Sequence, residues 1–177
     1  MFQRDLIAGV VSGVVGWAGA FILPESSLLM DVYPGVVLAL AFFWAATPTR
    51  RERFLLHIPE IAWYFVGCIA GWRLAIEVAV RYTQSLPYVW AGFTGGALVA
   101  AACLLAWRRK EGALVSFASI TIAGGLGGAI FQWLDTPLHA LGENVWVLAL
   151  LVEWQTLVLV TAGWVRRRYQ VLPAAQA

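Results

Sequence analysis

The sequence predicts an all-α membrane protein: a polytopic bundle of six transmembrane helices that forms a single domain over residues 1–177. Composition is the first reason, because 61% of the residues are hydrophobic and 12% are charged, whereas soluble domains average about 45–50% apolar and about 25% charged residues. Patterning is the second reason. The apolar residues fall into six long segments, each near the roughly 20 residues that a helix needs to cross a bilayer. Six such helices use almost the whole chain, so a soluble catalytic domain is not expected.

Several sequence features define the predicted spans and their boundaries. The first apolar segment is long for a signal peptide and no A-x-A cleavage site follows it, so we interpret it as a retained helix. Pro34-Gly35 interrupts the second segment near its start, and Asp135-Thr136-Pro137 predicts that the chain leaves the fifth helix after Leu134. The predicted spans are residues 6–23, 28–47, 58–80, 88–107, 113–134 and 145–165.

The basic residues predict how these helices are oriented. Arg81 is the only basic residue in the first, third and fifth connections, which also carry the acids Glu25, Asp31, Asp135 and Glu143. Basic residues mark the cytoplasmic side of inner-membrane proteins. We therefore predict a multi-pass protein of a bacterial-type inner (plasma) membrane with both termini in the cytoplasm. The basic residues on the predicted inner side are Arg4, Arg50, Arg51, Arg53, Arg108, Arg109, Lys110, Arg166, Arg167 and Arg168.

Equal spacing of three basic clusters suggests an internal repeat. The clusters begin at Arg50, Arg108 and Arg166, and the same spacing brings three glycines of the odd-numbered helices into register. One interpretation is three repeated helical hairpins around a pseudo-threefold axis normal to the membrane. The alternative is that glycine-rich membrane helices align by chance. The aligned glycines are Gly9, Gly67 and Gly125.

Small residues recur at three- or four-residue steps along the first, fourth and fifth predicted helices. Helices in lipid associate through such faces because small side chains let the backbones approach closely. We expect these faces to form seams inside the bundle, with a surface for another subunit or a second copy as the alternative. The positions are Gly9, Gly13, Gly16, Gly92, Gly96, Gly124 and Gly128.

Three ionisable residues within the spans are candidates for function, because charge inside a membrane is costly. Arg73 and Glu77 share a face of the third helix, and Glu153 lies at a similar depth on the sixth. They predict a polar cluster that forms a substrate or ion pathway, in which Arg73 binds an anionic group and Glu153 titrates or holds a cation. The alternative is a buried ion pair between these two helices. The predicted site also includes Gln155, Trp72 and Trp154.

Several other chemistries are not expected. His57 and His139 fall on opposite sides of the membrane, so they cannot ligate one haem. Cys68 and Cys103 form no C-x-x-C pair and are interpreted as packing residues. No metal site and no cofactor are predicted. The chain has neither a P-loop nor an extended basic domain, so nucleic acid is not an expected partner.

Three classes of function stay open. The first is a small integral membrane transporter or channel component that handles a small solute through the outer polar cluster. The second is a non-catalytic membrane subunit of a larger respiratory, photosynthetic, secretion or multi-subunit transport complex. Both imply membrane lipid, and other membrane subunits or a second copy, as partners. The third is an intramembrane enzyme acting on a lipid or quinone, for which His57 and Glu60 are the nearest titratable pair. Enzymatic activity is the least expected of the three.

Overall fold

The computed structural model describes residues 2–23, 28–46, 58–82, 85–107 and 112–170. Over these residues the chain forms six α-helices and no strand, which confirms the predicted all-α class. The helices are α1 (Phe2–Ile22), α2 (Leu28–Ala46), α3 (Ile58–Arg81), α4 (Pro87–Trp107), α5 (Ala113–Ala140) and α6 (Glu143–Gln170).

Length and apolar character identify the chain as a membrane protein. Within the described residues, four stretches are long and apolar enough to cross a bilayer, and α2 contributes a shorter apolar stretch, Val32–Ala45. Their outward faces carry large apolar side chains, as a lipid-facing surface requires. The four stretches are Ile61–Arg81, Pro87–Trp107, Ala113–Ala140 and Glu143–Tyr169.

The helices form a closed ring in chain order. Each packs against the helices before and after it, and α1 packs against α6 to close the ring. Toward the middle, α6 also approaches α2 and α4. Over their described residues the backbones of α3 and α6 do not meet, and a side-chain hydrogen bond between Tyr64 and Arg166 links the two helices. The ring therefore places α3 and α6 on opposite sides of the bundle.

The two ends of the bundle differ in charge, and we name them accordingly. The acidic end is where α1, α3 and α5 end and α2, α4 and α6 begin, and the basic end is where α1, α3 and α5 begin and α2, α4 and α6 end. Several residues on which the predicted orientation depends lie outside the described residues. These are Glu25, Arg50, Arg51, Arg53, Arg108, Arg109 and Lys110, together with the side chain of Asp31.

Helix α5 is longer at the acidic end than the sequence predicts. It continues through Pro137 to Ala140, so the prediction that the chain leaves the helix at Asp135 was wrong. A proline removes one backbone donor but does not by itself end a helix. The chain turns instead at Gly142, whose φ of 107° suits a residue without a side chain. The added turns keep Asp135 and His139 on one helix face, four residues apart.

The α4–α5 seam is a contact of backbone against backbone. A Cβ atom at Gly92 would overlap the carbonyl oxygen of Gly124, and one at Gly124 would overlap that of Gly92. At Gly128 it would overlap the backbone of Tyr88, and at Gly96 it would lie 3.1 Å from carbonyl oxygens of α5. These glycines therefore let α4 and α5 approach more closely than side chains would allow.

The α1–α6 seam is close at one end and looser toward the other. A Cβ atom at Gly9 would lie 2.6 Å from the Cα atom of Thr156, and one at Gly13 would overlap the backbone of Val152. At Gly16 the nearest atom would be 3.6 Å away, which is an ordinary contact. The small residues of α1 thus face the interior of the bundle.

The glycines that the repeat aligns do not face equivalent neighbours. Gly9 faces α6 and Gly125 faces Phe93 of α4, so each faces the second helix of the preceding hairpin in the ring. Gly67 instead faces Ala102, within its own hairpin. The order of three hairpins around the ring agrees with the repeat, but the packing at Gly67 departs from threefold symmetry.

Candidate functional site

A cavity of about 520 Å³ lies among α3, α4, α5 and α6 in the half of the bundle near the acidic end. Its volume falls within the about 300–1,000 Å³ range of small-molecule sites. Small residues on three of the helices create the space. They are Ala75 and Ala79 on α3, Ala91 on α4 and Gly128 on α5.

Aromatic side chains supply much of the cavity surface. Trp72, Tyr88, Trp146 and Trp154 line it, one or two from each of α3, α4 and α6. The remaining wall is aliphatic. A site of this composition suits a ligand with a flat or hydrocarbon body. Helices α3 and α6 stand on opposite sides of the cavity, and over the described residues their backbones do not meet. A ligand in the cavity would therefore lie between these two helices.

A polar group of three residues, which we call the mouth cluster, adjoins the cavity at the acidic end. The Nε1 atom of Trp146 donates a hydrogen bond to Oδ1 of Asp135 at 2.7 Å. The imidazole of His139 stacks on the Trp146 ring, with centroids 4.9 Å apart and an angle of 24°. Its Nε2 atom lies 3.7 Å from the same Asp135 oxygen. The mouth cluster therefore fixes Trp146 as a wall of the cavity and sets a carboxylate beside it.

Contacts between aromatic rings also hold Trp146 in the cavity wall. Tyr88 meets Phe131 edge-on at 5.0 Å between centroids, and Phe131 meets Trp146 at 4.9 Å. The backbone N–H of Tyr88 donates to Oε1 of Gln132 at 3.3 Å. Edge-to-face pairs are favourable arrangements for aromatic rings. Three helices thus contribute to one continuous aromatic wall.

The predicted polar cluster is divided in the structure, and its first part is a ladder of charges on α3. Arg73 Nη2 lies 2.9 Å from Glu77 Oε1, and Arg81 Nη2 lies 3.5 Å from Glu77 Oε2. We call these three residues the α3 ladder. The Arg73 and Glu77 side chains are 43% and 34% exposed, on the same outward face as Leu74. The α3 ladder therefore faces the surroundings of the bundle.

Glu153, the second part, lies against α5. Both of its carboxyl oxygens are buried, and neither has a hydrogen-bond partner among the described residues. Its Oε1 atom lies 3.4 Å from where a Cβ atom of Gly127 would be. An ion pair between Arg73 and Glu153, the alternative interpretation of these residues, does not form among the described residues. The two residues match in depth, but the cavity separates α3 from α6.

Gln155 connects α6 to the backbone of α2. The predicted interruption at Pro34-Gly35 was wrong, because α2 is continuous from Leu28 to Ala46 with Pro34 inside it. Gln155 is fully buried, and its Nε2 atom donates to the Pro34 carbonyl oxygen at 3.4 Å. Gln155 therefore joins helices rather than lining the cavity.

Trp72 and Trp154 line the cavity from opposite sides. Trp154 is 5% exposed, and its Cδ1 and Cζ2 atoms approach Gly127 and Gly95. Nε1 lies on the ring edge between these two atoms, so that edge faces the α4–α5 seam. In the described part of the chain neither tryptophan N–H has a hydrogen-bond partner. Trp154 thus contributes carbon surface to the cavity.

A buried ion pair at the basic end was missed by the sequence analysis. Asp5 is 4% exposed and pairs with Arg167, which joins the first turn of α1 to the last turn of α6. Gly163 leaves room for the carboxylate, because a Cβ atom there would overlap it. The signal available in the sequence was a lone acid, Asp5, in the first turn of an apolar helix.

Tyr64 is the centre of a second contact at the basic end. It is almost completely buried, and its hydroxyl accepts hydrogen bonds from Trp107 Nε1 at 2.9 Å and from Arg166 Nη1 at 3.1 Å. Its ring stacks on Phe42, with centroids 5.4 Å apart. Four helices are joined here. Two of the arginines that predict topology, Arg166 and Arg167, therefore also join helices at the basic end.

Within the described ranges no group of three or more His, Cys, Asp or Glu residues is placed to hold a metal ion. Cys68 and Cys103 are buried and form no disulfide bond. His57 and the side chain of Glu60, the candidate titratable pair for an enzyme, lie outside the described residues.

Comparison with known proteins adds no relative: no family model matches the chain, and neither a curated protein nor a solved structure is detectably similar to it.

Proposed function

We propose that this chain is an integral membrane transporter, or the solute-binding component of one, and that a small solute enters it through the cavity near the acidic end. The cavity carries this proposal, because a space of about 520 Å³ lined by four helices falls within the size range of small-molecule sites. The distribution of basic residues supports an orientation in an inner (plasma) membrane with the acidic end outside and both termini in the cytoplasm.

Helix packing at the basic end, over the residues that the structure describes, supports a carrier rather than an open channel. Toward that end, large side chains fill the space between the helices, and the contacts of Tyr64 and Asp5 hold several helices together. A transporter that alternates between two open states has one side sealed at a time. The residues that fill this half include Leu38, Val99, Cys103, Ile120 and Val158.

The solute contacts in this proposal differ from those that the sequence suggested. Arg73 and Glu77 pair on the outward face of α3, and Glu153 packs against α5. Aromatic and aliphatic side chains line the cavity instead. The proposed solute is therefore largely apolar, and it is held by its shape and by ring contacts.

Filling the cavity tests the proposal. Ala79→Trp on α3 is expected to reduce binding of the neutral apolar fluorophore N-phenyl-1-naphthylamine by at least roughly tenfold, because an indole would occupy the space of the bound ring. Binding is measured as fluorescence enhancement on the purified full chain in an uncharged detergent. Ala79→Leu, a smaller insertion, is expected to give an intermediate loss.

Leu74→Trp is the matched control. It adds the same indole to the same helix, but Leu74 is 45% exposed and does not line the cavity. It is expected to bind the fluorophore like the unmodified chain. If Ala79→Trp and Ala79→Leu elute as the folded protein and bind as well as Leu74→Trp, the cavity is not the binding site.

A second candidate function is that of a non-catalytic subunit in a larger membrane complex. The α3 ladder favours it, because charges on an outward face are costly in lipid and another subunit or a second copy would cover them. Arg73 lies about 12 Å along the helix from Arg81 at its end. The mass of the particle purified in mild detergent distinguishes the two: a stable hetero-complex favours the subunit, and a monomer or small homo-oligomer favours the transporter.

A further inference from the structure

The cavity has a polar boundary at the mouth cluster, and the charge there distinguishes between kinds of solute. We infer that the site selects a lipophilic cation: a solute with an aromatic or hydrocarbon body and one positively charged head. This inference rests on the proposed function and adds the substrate class. The body would lie between the aromatic walls, and the head would lie beside Asp135.

The walls suit a positive charge as well as an apolar body. Tyr88 and Trp146 line the cavity next to the mouth cluster, and Trp72 lies on the opposite side. The face of an aromatic ring attracts cations electrostatically, most strongly for tryptophan and when water is excluded. An anion gains nothing from these faces. The same surface that binds the body therefore favours one sign of charge in the head.

Asp135 has a carboxylate oxygen available for the head. Its Oδ1 atom accepts the hydrogen bond from Trp146 and lies near His139. Its Oδ2 atom makes no hydrogen bond to any residue that the structure describes, and the side chain is 27% exposed. Since Trp146 fixes Oδ1, the second oxygen can receive a cationic head without loss of the mouth cluster.

The rest of the acidic end has a charge of the matching sign. The sequence has four acids at or near the helix boundaries of this end, Glu25, Asp31, Asp135 and Glu143, and α3 adds Glu77. Against these five acids stand the bases Arg73 and Arg81, and the single carboxylate of Glu77 pairs with both of them. A field of one sign at the entrance to a low-dielectric cleft raises the local concentration of ions of the opposite sign. An anionic solute would have to approach against this field.

Two ions of nearly identical shape and opposite charge test the inference. Tetraphenylphosphonium and tetraphenylborate are titrated against bound N-phenyl-1-naphthylamine on the full chain, both in the same buffer. The Ala79→Trp variant supplies the background from partition into detergent. We expect the cation to displace the fluorophore at a concentration at least roughly tenfold lower than the anion.

Removal of one charge identifies the residue responsible. Asp135→Asn keeps an oxygen that can accept the hydrogen bond from Trp146, and it is expected to reduce the preference for the cation to within roughly threefold. Glu143→Gln makes the same change of charge at an exposed acid outside the mouth cluster, and it is expected to reduce the preference less than Asp135→Asn does.

Each outcome decides one of the two proposals. Equal displacement by the two ions, or a preference for the borate, overturns the inference and leaves the proposed function standing, since the neutral fluorophore still binds. A preference for the cation that survives in Asp135→Asn also overturns it. If the fluorophore itself does not bind to the folded chain, the proposed function fails and the inference fails with it.

Discussion

Gly92→Ala is expected to prevent α4 and α5 from packing, although it adds a single methyl group. The added Cβ atom would overlap the carbonyl oxygen of Gly124. That oxygen belongs to the helix backbone, which cannot turn aside as a side chain can. Overpacking of this kind costs about 3 kcal/mol at the upper end of its usual range, which is a large fraction of the stability of a small protein. We expect most of the variant to elute as aggregate from a size-exclusion column in mild detergent.

Gly16→Ala provides the comparison within the same chain. Its added Cβ atom would lie 3.6 Å from Leu151 Cδ1, which is an ordinary van der Waals distance. Both changes replace a helical glycine by alanine, so their difference reports the available space rather than helix propensity. Gly16→Ala should elute and melt like the unmodified chain. Equal behaviour of the two variants would show that α4 and α5 are further apart than described above.

Asp5→Ala is expected to destabilise the bundle by about 3 kcal/mol, because it leaves the Arg167 guanidinium without its buried partner. The value belongs at the low end of the range for broken buried pairs, since the Arg167 side chain is 29% exposed and can turn toward water. The melting temperature of the purified chain in detergent measures the effect. In the Asp5→Ala/Arg167→Ala double variant, part of the lost stability should return.

Arg168→Ala is the control for that experiment. Arg168 is in the same turn of α6, but it is exposed and lies over the ring of Trp164 at 5.5 Å. An exposed contact of this type contributes about 0.5–1 kcal/mol. If Asp5→Ala lowers the melting temperature no more than Arg168→Ala does, the Asp5–Arg167 pair does not hold α1 against α6.

The all-α class was predictable because it depends on composition and on the length of apolar segments. The end of α5 was harder to predict. Pro137 is a common sign of a helix boundary, but the residue that ends this helix is Gly142, which takes a positive φ. Only with α5 extended to Ala140 do Asp135 and His139 face Trp146. The mouth cluster was therefore not visible in the sequence.

The failure of the Arg73–Glu153 pairing has a geometric cause. The position of a residue in its span gives its depth in the membrane, but not its direction around the helix or the identity of the facing helix. Arg73 and Glu153 share a depth, yet Arg73 points to the outward face of α3 and Glu153 packs on α5. The cavity could not be predicted for the same reason. It forms only because alanines and a glycine from three helices face the same space.

The arginines near the C-terminus contribute both to the charge pattern that predicts topology and to contacts between helices. Arg166 and Arg167 contribute to the basic pattern that predicts topology. In the structure they also bond Tyr64 and Asp5, and so join α6 to α3 and α1. A count of charges along the chain reveals their contribution to topology, but it does not reveal these contacts.

The central claim is that a solute reaches the cavity from outside the cell, and thiol labelling in intact cells tests it most directly. Ala75→Cys places a thiol in the cavity wall, Leu74→Cys places one on the outward face, and the native Cys68 and Cys103 are buried. We expect a membrane-impermeant cationic methanethiosulfonate reagent to modify Ala75→Cys, and we expect tetraphenylphosphonium to slow this reaction. Leu74→Cys should stay unmodified in lipid. An Ala75→Cys thiol that reacts only after the cells are permeabilised, or that reacts no faster than Leu74→Cys, would contradict it.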